Sequence, residues 1–134
     1  MARSYALVNG SRIDILDQVA VRHDGDVFTD GNIYSTNQDI ERWITALVGG
    51  KVLSRDSFEV MMTPYLGEYG YGWSIYEDSE NRRVFSHSGS WLGYKSWIKR
   101  FRDDDVTIVF YSNQTISRAL RREFLEKIED AILD

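Results

Sequence analysis

The side chains best suited to chemistry in this sequence are its two histidines, His23 and His87, each followed by groups that could pair with an imidazole. Imidazole changes charge near neutral pH, so it can take a proton from a serine and make that serine a nucleophile. His23 precedes Asp24, Asp26 and Asp30, a spacing that suggests a His-Asp pair or a calcium loop. The calcium pattern fails at Phe28, where an oxygen ligand is expected, and no glutamate closes the loop. No metal site is expected there, and a solvated loop is the better account. His87 is followed by Ser88, Gly89 and Ser90. On residue type alone it reads as a half-buried strand residue beside Phe85, hydrogen-bonded to a neighbour. An independent hydrolase built from either histidine and a local serine is one reading that these residues leave open.

Two short spacings also resemble catalytic pairs. Ser96-Trp97-Ile98-Lys99 has a lysine three residues after a serine, and Tyr111-Ser112-Asn113 has an asparagine two residues after a tyrosine. On a helix, residues three apart share a face, so the amine can deprotonate the hydroxyl; on a strand they point to opposite faces. Ser96 and Lys99 fall in a strand-like run and are not expected to form a dyad. The chain has no cysteine, which excludes disulfides, thiolate metal sites and cysteine nucleophiles within it.

The elements that must position these groups follow from pattern. Tyr5 to Val8 and Arg12 to Ile15 flank Asn9-Gly10, a dipeptide that tolerates positive φ and predicts a hairpin. Val21 to Gly31 is turn-rich and predicts a loop. Ser35 or Thr36 can cap a helix, with Gln38 or Asp39 as capping partner, Ile40, Trp43, Ile44 and Leu47 as its apolar face, and Gly49-Gly50 at its end. A shorter helix is expected after Ser54, through Phe58 and Met61, ending before Pro64. From Tyr69 to Ile75 large residues alternate with small ones, which predicts a strand. Arg83 to His87, Tyr94 to Phe101 and Val106 to Ser112 predict three more, joined by short turns at residues 77–81, 89–93 and 102–104 as in an antiparallel meander. Ser117 caps a last amphipathic helix with Leu120, Phe124, Ile128 and Ile132 facing inward and a Glu123–Lys127 pair outward. Asp103 to Asp105 is expected to keep a hairpin end solvated.

With 134 residues, 43% of them hydrophobic and 13% aromatic, the chain can form a core of its own. The expected architecture is a single α+β domain spanning 1–134: an antiparallel sheet of about four strands plus an N-terminal hairpin, packed against helices. A net charge of −5 argues against nucleic acid or anionic lipid as partner. No apolar run is long enough to span a bilayer, and no signal-peptide core follows the first residues. The aromatic residues Tyr69, Tyr71, Trp73, Trp91, Tyr94 and Trp97 are expected chiefly as core or cross-strand pairs, with Trp91 and Tyr94 as the exceptions.

Three ordered stretches resemble the C-terminal portion of the serine β-lactamase and penicillin-binding protein family, especially its class C-like esterase and D-aminopeptidase branch. They are Gly31-Asn32-Ile33-Tyr34-Ser35-Thr36 with Asp39, Trp43, Gly50 and Leu53-Ser54 behind it; Met62-Thr63-Pro64 followed by Tyr69-Gly70-Tyr71-Gly72-Trp73; and His87-Ser88-Gly89, then Gly93-Tyr94 and a strand ending in Ser112-Asn113. The resemblance covers nearly the whole chain and implies a partial β-lactamase or transpeptidase-like fold. In that family a Lys-Thr-Gly motif, often His-x-Gly, lies on a strand beside the active site. The resemblance therefore implies that His87 faces a substrate carboxylate or helps proton transfer, and that Ser88 hydrogen-bonds to substrate. Gly89 would admit the substrate to the strand, and Ser90 would offer its backbone N–H to the oxyanion. Trp91 and Tyr94 flank this strand as candidate substrate contacts.

The departure from the family is at the front. The nucleophilic Ser-x-x-Lys and the Tyr-x-Asn element belong before the His-x-Gly strand, and neither occurs upstream of His87. The reading is thus a C-terminal segment of a serine hydrolase that performs acyl transfer on an ester, amide or β-lactam, inactive alone. A free-standing binding or assembly domain derived from that fold is the alternative. Expected partners are a small-molecule or peptide substrate of the complete enzyme and either the missing N-terminal portion or a second copy, with no cofactor and no metal. The resemblance suggests a periplasmic or secreted setting.

Overall fold

The computed structural model describes residues 3–15, 31 and 33–133. The expected loop from Val21 to Gly31, with His23, Asp24, Asp26 and Asp30, falls outside the described residues except for Gly31. Contacts divide the chain into two units. One comprises Met1–Asp26, Ser90–Lys95 and Ser112–Asp134, and the other Val27–Gly89 and Ser96–Tyr111.

In the first unit, Asn9 and Gly10 hold φ of 50° and 79° and turn the chain between β1 (Tyr5–Val8) and β2 (Ser11–Asp14). The register pairs Tyr5 with Asp14 and Val8 with Ser11, the two-residue hairpin that Asn-Gly favours. The Arg12 guanidinium lies 3.5 Å from the centre of the Tyr5 ring, and Arg3 bridges to Asp14 at 2.8 Å. Backbone bonds from Tyr5 to Asn113 (2.7 Å) and from Thr115 to Tyr5 (2.9 Å) fasten β1 to the segment preceding the last helix.

That helix, here α3 (Arg118–Leu133), is capped as its sequence predicts: the Leu120 amide donates to Ser117 Oγ at 3.1 Å, and Lys127 pairs with Glu123 at 2.8 Å. Its inward face is not the expected one. Leu125 is its buried residue and Ile128 is half-buried, while Leu120, Phe124 and Ile132 are 56%, 48% and 52% exposed. The less exposed positions of α3 are Arg121, Leu125, Ile128, Glu129 and Leu133.

In the second unit, α1 (Asn37–Val48) begins where Thr36 Oγ1 accepts the Asp39 amide at 3.1 Å and donates to the Asp39 carboxylate at 3.0 Å. It ends at Gly49, before Gly50 at φ 71°. Ser54 caps α2 (Arg55–Met61) in the same way, by accepting the Ser57 amide at 3.2 Å. Ile44, Leu47, Phe58, Met62, Trp73 and Phe85 form one buried cluster, with Ile40, Leu53, Met61, Ile75 and Ile98 packed against it. Trp73 is its hub, stacked on Trp43 at 5.9 Å and edge-on to Phe85 at 5.1 Å.

The sheet is antiparallel, in the order β3 (Ser74–Glu77), β4 (Arg83–Trp91), β5 (Tyr94–Phe101) and β6 (Val106–Ser112). The fold is α+β, as the pattern predicts. Two boundaries move. Tyr69 to Trp73 folds back on itself instead of extending: the Gly70 amide donates to Trp73 O, and Gly72 takes φ 82°. A side chain at Gly70 would also meet Met61 O at 2.7 Å. Trp73 is thereby buried, whereas Tyr69 and Tyr71 are exposed, against the core role expected of them. The second shift is at residues 89–93, where β4 runs on to Trp91 and only Leu92 (φ 42°) and Gly93 (φ 85°) make the turn. The acidic turn is also more than solvated, since Asp103 pairs with Arg83 and Asp105 with Arg100.

Candidate functional site

Alternation along β4 sends Val84 and Ser86 to one face and Phe85 and His87 to the other. His87 is therefore carried by the strand that holds Phe85 in the core, yet it is itself exposed. Its ring stands edge-on to Trp73 at 6.4 Å and 81°, so the core aromatic also limits where the imidazole can turn. Ser88 is exposed, and Gly89 is half-buried beneath β5. A Cβ at Gly89 would lie 2.5 Å from Ser96 Oγ, so Ser96 occupies the space that any other residue would need.

The edge of β4 matters as much as its side chains. β3 pairs with β4 only from Arg83 to Ser86, where Ser74 is the last partner. Among the described residues, no strand covers His87 to Gly89 on that side. An open strand edge presents backbone N–H and C=O groups that can accept an extended ligand as another strand would.

In the first unit, Ser90 Oγ accepts a hydrogen bond from Lys95 Nζ. Trp91 is 56% exposed and Tyr94 half-buried on either side of the Leu92-Gly93 turn. Gly93 is confined as well: a Cβ there would meet Ile15 Cδ1 at 2.4 Å and Tyr5 O at 3.3 Å. The division between the units falls after Gly89 and after Lys95. His87, Ser88 and Gly89 thus belong to one unit, and Ser90, Trp91 and Tyr94 to the other.

Both lookalike motifs are structural. Ser96 and Lys99 lie on β5, with Ser96 against Gly89 and the Lys99 ammonium among Phe101 (4.7 Å), Trp97 (5.7 Å) and Tyr76 (6.0 Å). Residues three apart on a strand face opposite ways, as their spacing requires. Asn113 donates through Nδ2 to Arg3 O at 2.8 Å and accepts the Tyr5 amide on its own carbonyl, so it holds β1 in place. Ser112 Oγ bonds Gln114 O at 3.0 Å. Partial burial pushes the Tyr111 phenol above its ordinary range.

Sequence reasoning missed Ser96 over Gly89 and Lys95 on Ser90. The signal was available in Leu92-Gly93, because a two-residue turn puts Gly89 opposite Ser96 and Ser90 opposite Lys95. No group of three or more His, Cys, Asp or Glu side chains among the described residues is arranged to hold a metal ion.

A family model of the β-lactamases matches residues 2–130. This chain belongs to the β-lactamase family. Among curated proteins, penicillin-binding protein 4* of Bacillus subtilis (strain 168) is 31% identical over 106 residues. That stretch is 75% of this chain and 24% of the relative, so this chain corresponds to about a quarter of that protein's length. No solved structure gives a significant match. The His87-Ser88-Gly89 stretch lies on β4, beyond its pairing with β3. No helix among the described residues is long and apolar enough to cross a membrane.

Proposed function

We propose that this chain is the C-terminal portion of a β-lactamase-like serine hydrolase, one domain in which it supplies an active-site strand and sequence outside it supplies the nucleophile. The observation that carries this reading is the stretch of β4 beyond Ser86, where His87-Ser88-Gly89 sits on a strand that β3 no longer covers. The family match and the relative's greater length, of which the matched stretch is 24%, support it.

The chemistry is acyl transfer on an ester, amide or β-lactam. A serine oxygen attacks the carbonyl carbon, a base takes its proton, and the tetrahedral oxyanion collapses with loss of the leaving group to an acyl-serine that water then hydrolyses. In this reading the Ser90 N–H serves as donor to the oxyanion, where a preorganised donor contributes most. Ser88 binds substrate, and His87 meets its carboxylate or passes a proton. Histidine in place of lysine favours esterase or peptidase activity. Gly89 leaves the edge low enough for close approach, and Trp91 and Tyr94 border the substrate. The exposed Leu120, Phe124 and Ile132 of α3 support a further contact, with the preceding portion of the protein as the partner.

The test is reconstitution. Joined to the preceding coding sequence, the chain should give a protein that is acylated by a serine-reactive phosphonate on a serine outside these 134 residues. Ser90→Pro, which deletes one N–H at an open edge where proline is tolerated, should slow acylation by about a hundredfold. Undiminished acylation in that variant and in His87→Ala would remove the strand from the mechanism.

A further inference from the structure

Gly89 has no side chain, and the place one would take is filled from the neighbouring strand. A Cβ there would stand 2.5 Å from Ser96 Oγ and 3.8 Å from Ser96 Cβ, so it is the hydroxyl that lies over the glycine. Alternate residues of a strand share a face, which puts Phe85, His87 and the bare position of Gly89 in one row along β4. Residues opposite one another on adjacent strands share a face as well. Ile98, two residues on from Ser96 along β5, packs against the cluster that holds Phe85, in keeping with that face. Ser96 thus lends its hydroxyl to the row of His87, two residues further along, or about 7 Å.

This hydroxyl is uncommitted. Ser96 is half-buried, and among the described residues neither its Oγ nor the His87 ring has a hydrogen-bond partner. The buried side-chain oxygen that lacks a partner among those residues is Ser4 Oγ, so the unbonded Ser96 Oγ keeps access to solvent. A hydroxyl that bonds only to water can exchange that water for a ligand oxygen at little loss, and β5 already fixes its position. A group that follows the uncovered stretch of β4 and crosses Gly89 meets this hydroxyl next to the imidazole.

We propose that Ser96 is a further substrate-binding residue, whose Oγ donates a hydrogen bond to an acceptor oxygen of the acyl group, a carboxylate or an amide carbonyl, as that group crosses Gly89. The proposal rests on the acyl-transfer reading above and makes Ser96 a selector of oxygen-bearing acyl groups. It gives Ser96 no covalent part, since Lys99, three residues on along the strand, faces the other way.

The experiment is steady-state hydrolysis by the protein joined to its preceding coding sequence. The substrates are para-nitrophenyl esters of butyric acid, of succinic acid with one carboxyl free, and of N-acetylglycine. In Ser96→Ala, kcat/KM for an oxygen-bearing ester should fall about tenfold relative to the butyryl ester, through KM and not kcat, as one hydrogen bond is lost. The substitution removes an oxygen that bonds to nothing in the fold, so the urea midpoint should hold. A selective loss with the succinyl ester would name a carboxylate, and one with the acetylglycyl ester an amide carbonyl, both in support. A parallel loss for all three esters, or no change in any, overturns the proposal and leaves acyl transfer standing. Failure of the unaltered protein to hydrolyse any of them would overturn the acyl-transfer reading and this inference with it.

Discussion

Helices α1 and α3 are both amphipathic, both capped by a hydroxyl, and treated very differently by the fold. The shorter, α1, commits Ile44 and Leu47 to a core that α2, Trp73 and Phe85 close around it. The longer, α3, buries Leu125 and leaves Leu120, Phe124 and Ile132 in solvent. Neither length nor apolar content decides this. What counts is whether another element is there to cover the apolar line. The second unit therefore carries its own hydrophobic stabilisation, while α3 presents an apolar line that suits a contact with something else.

The sharpest way to break that comparison is to truncate one aromatic in each place. Phe85→Ala should cost about 3–5 kcal/mol in urea unfolding, because it removes a buried ring and leaves a cavity among Phe58 and Trp73. Phe124→Ala should cost less than about 1 kcal/mol, since half of that ring is already wet. Equal losses would contradict the assignment of the core. Next in size is Gly89→Ala, expected to cost about 1–3 kcal/mol through its collision with Ser96 Oγ. Ser96→Ala in the same chain should recover most of that loss, because the remaining Cβ would sit at 3.8 Å, an ordinary contact. If the pair is additive, the packing of β4 on β5 is not what fixes the glycine.

A cap should matter less than a core ring. Thr36→Ala removes the acceptor of the Asp39 amide and should destabilise by about 1 kcal/mol, read as a shift in the urea midpoint with no change in slope. Smallest is the effect of acid. Hydrogen bonds from Arg102 lower Glu59, and those from Arg83 lower Asp103. At Asp78 burial pushes the carboxyl up, but bonds from Arg82 and the Glu80 amide outweigh it and leave it lowered. Groups with a lower folded than unfolded pKa stabilise above the unfolded value and lose that contribution as pH falls through the folded one. Stability should therefore be flat near neutral pH and decline below about pH 4, with a shallower decline in Asp78→Asn.

Much of this was legible from local chemistry. Asn9-Gly10 announced its hairpin, Thr36 and Ser54 their helices, and the three strands from Arg83 to Ser112 their positions, because each depends on residues close in sequence. The missed points required partners. Tyr69 to Trp73 alternates like a strand, yet two glycines let it fold back beneath Ile75, a choice made by the neighbouring backbone of Met61. For the proposed site, His87-Ser88-Gly89 is singled out by its motif. The open edge beside it could not be found in that way, because it depends on where β3 stops.

The most direct test of the central claim is the intact mass of this chain after incubation with a serine-reactive phosphonate and, separately, with a reactive β-lactam. The account predicts an unchanged mass in both, since the proposal places the activated serine outside these residues. A stoichiometric adduct would contradict it, and the residue carrying the adduct would identify the nucleophile.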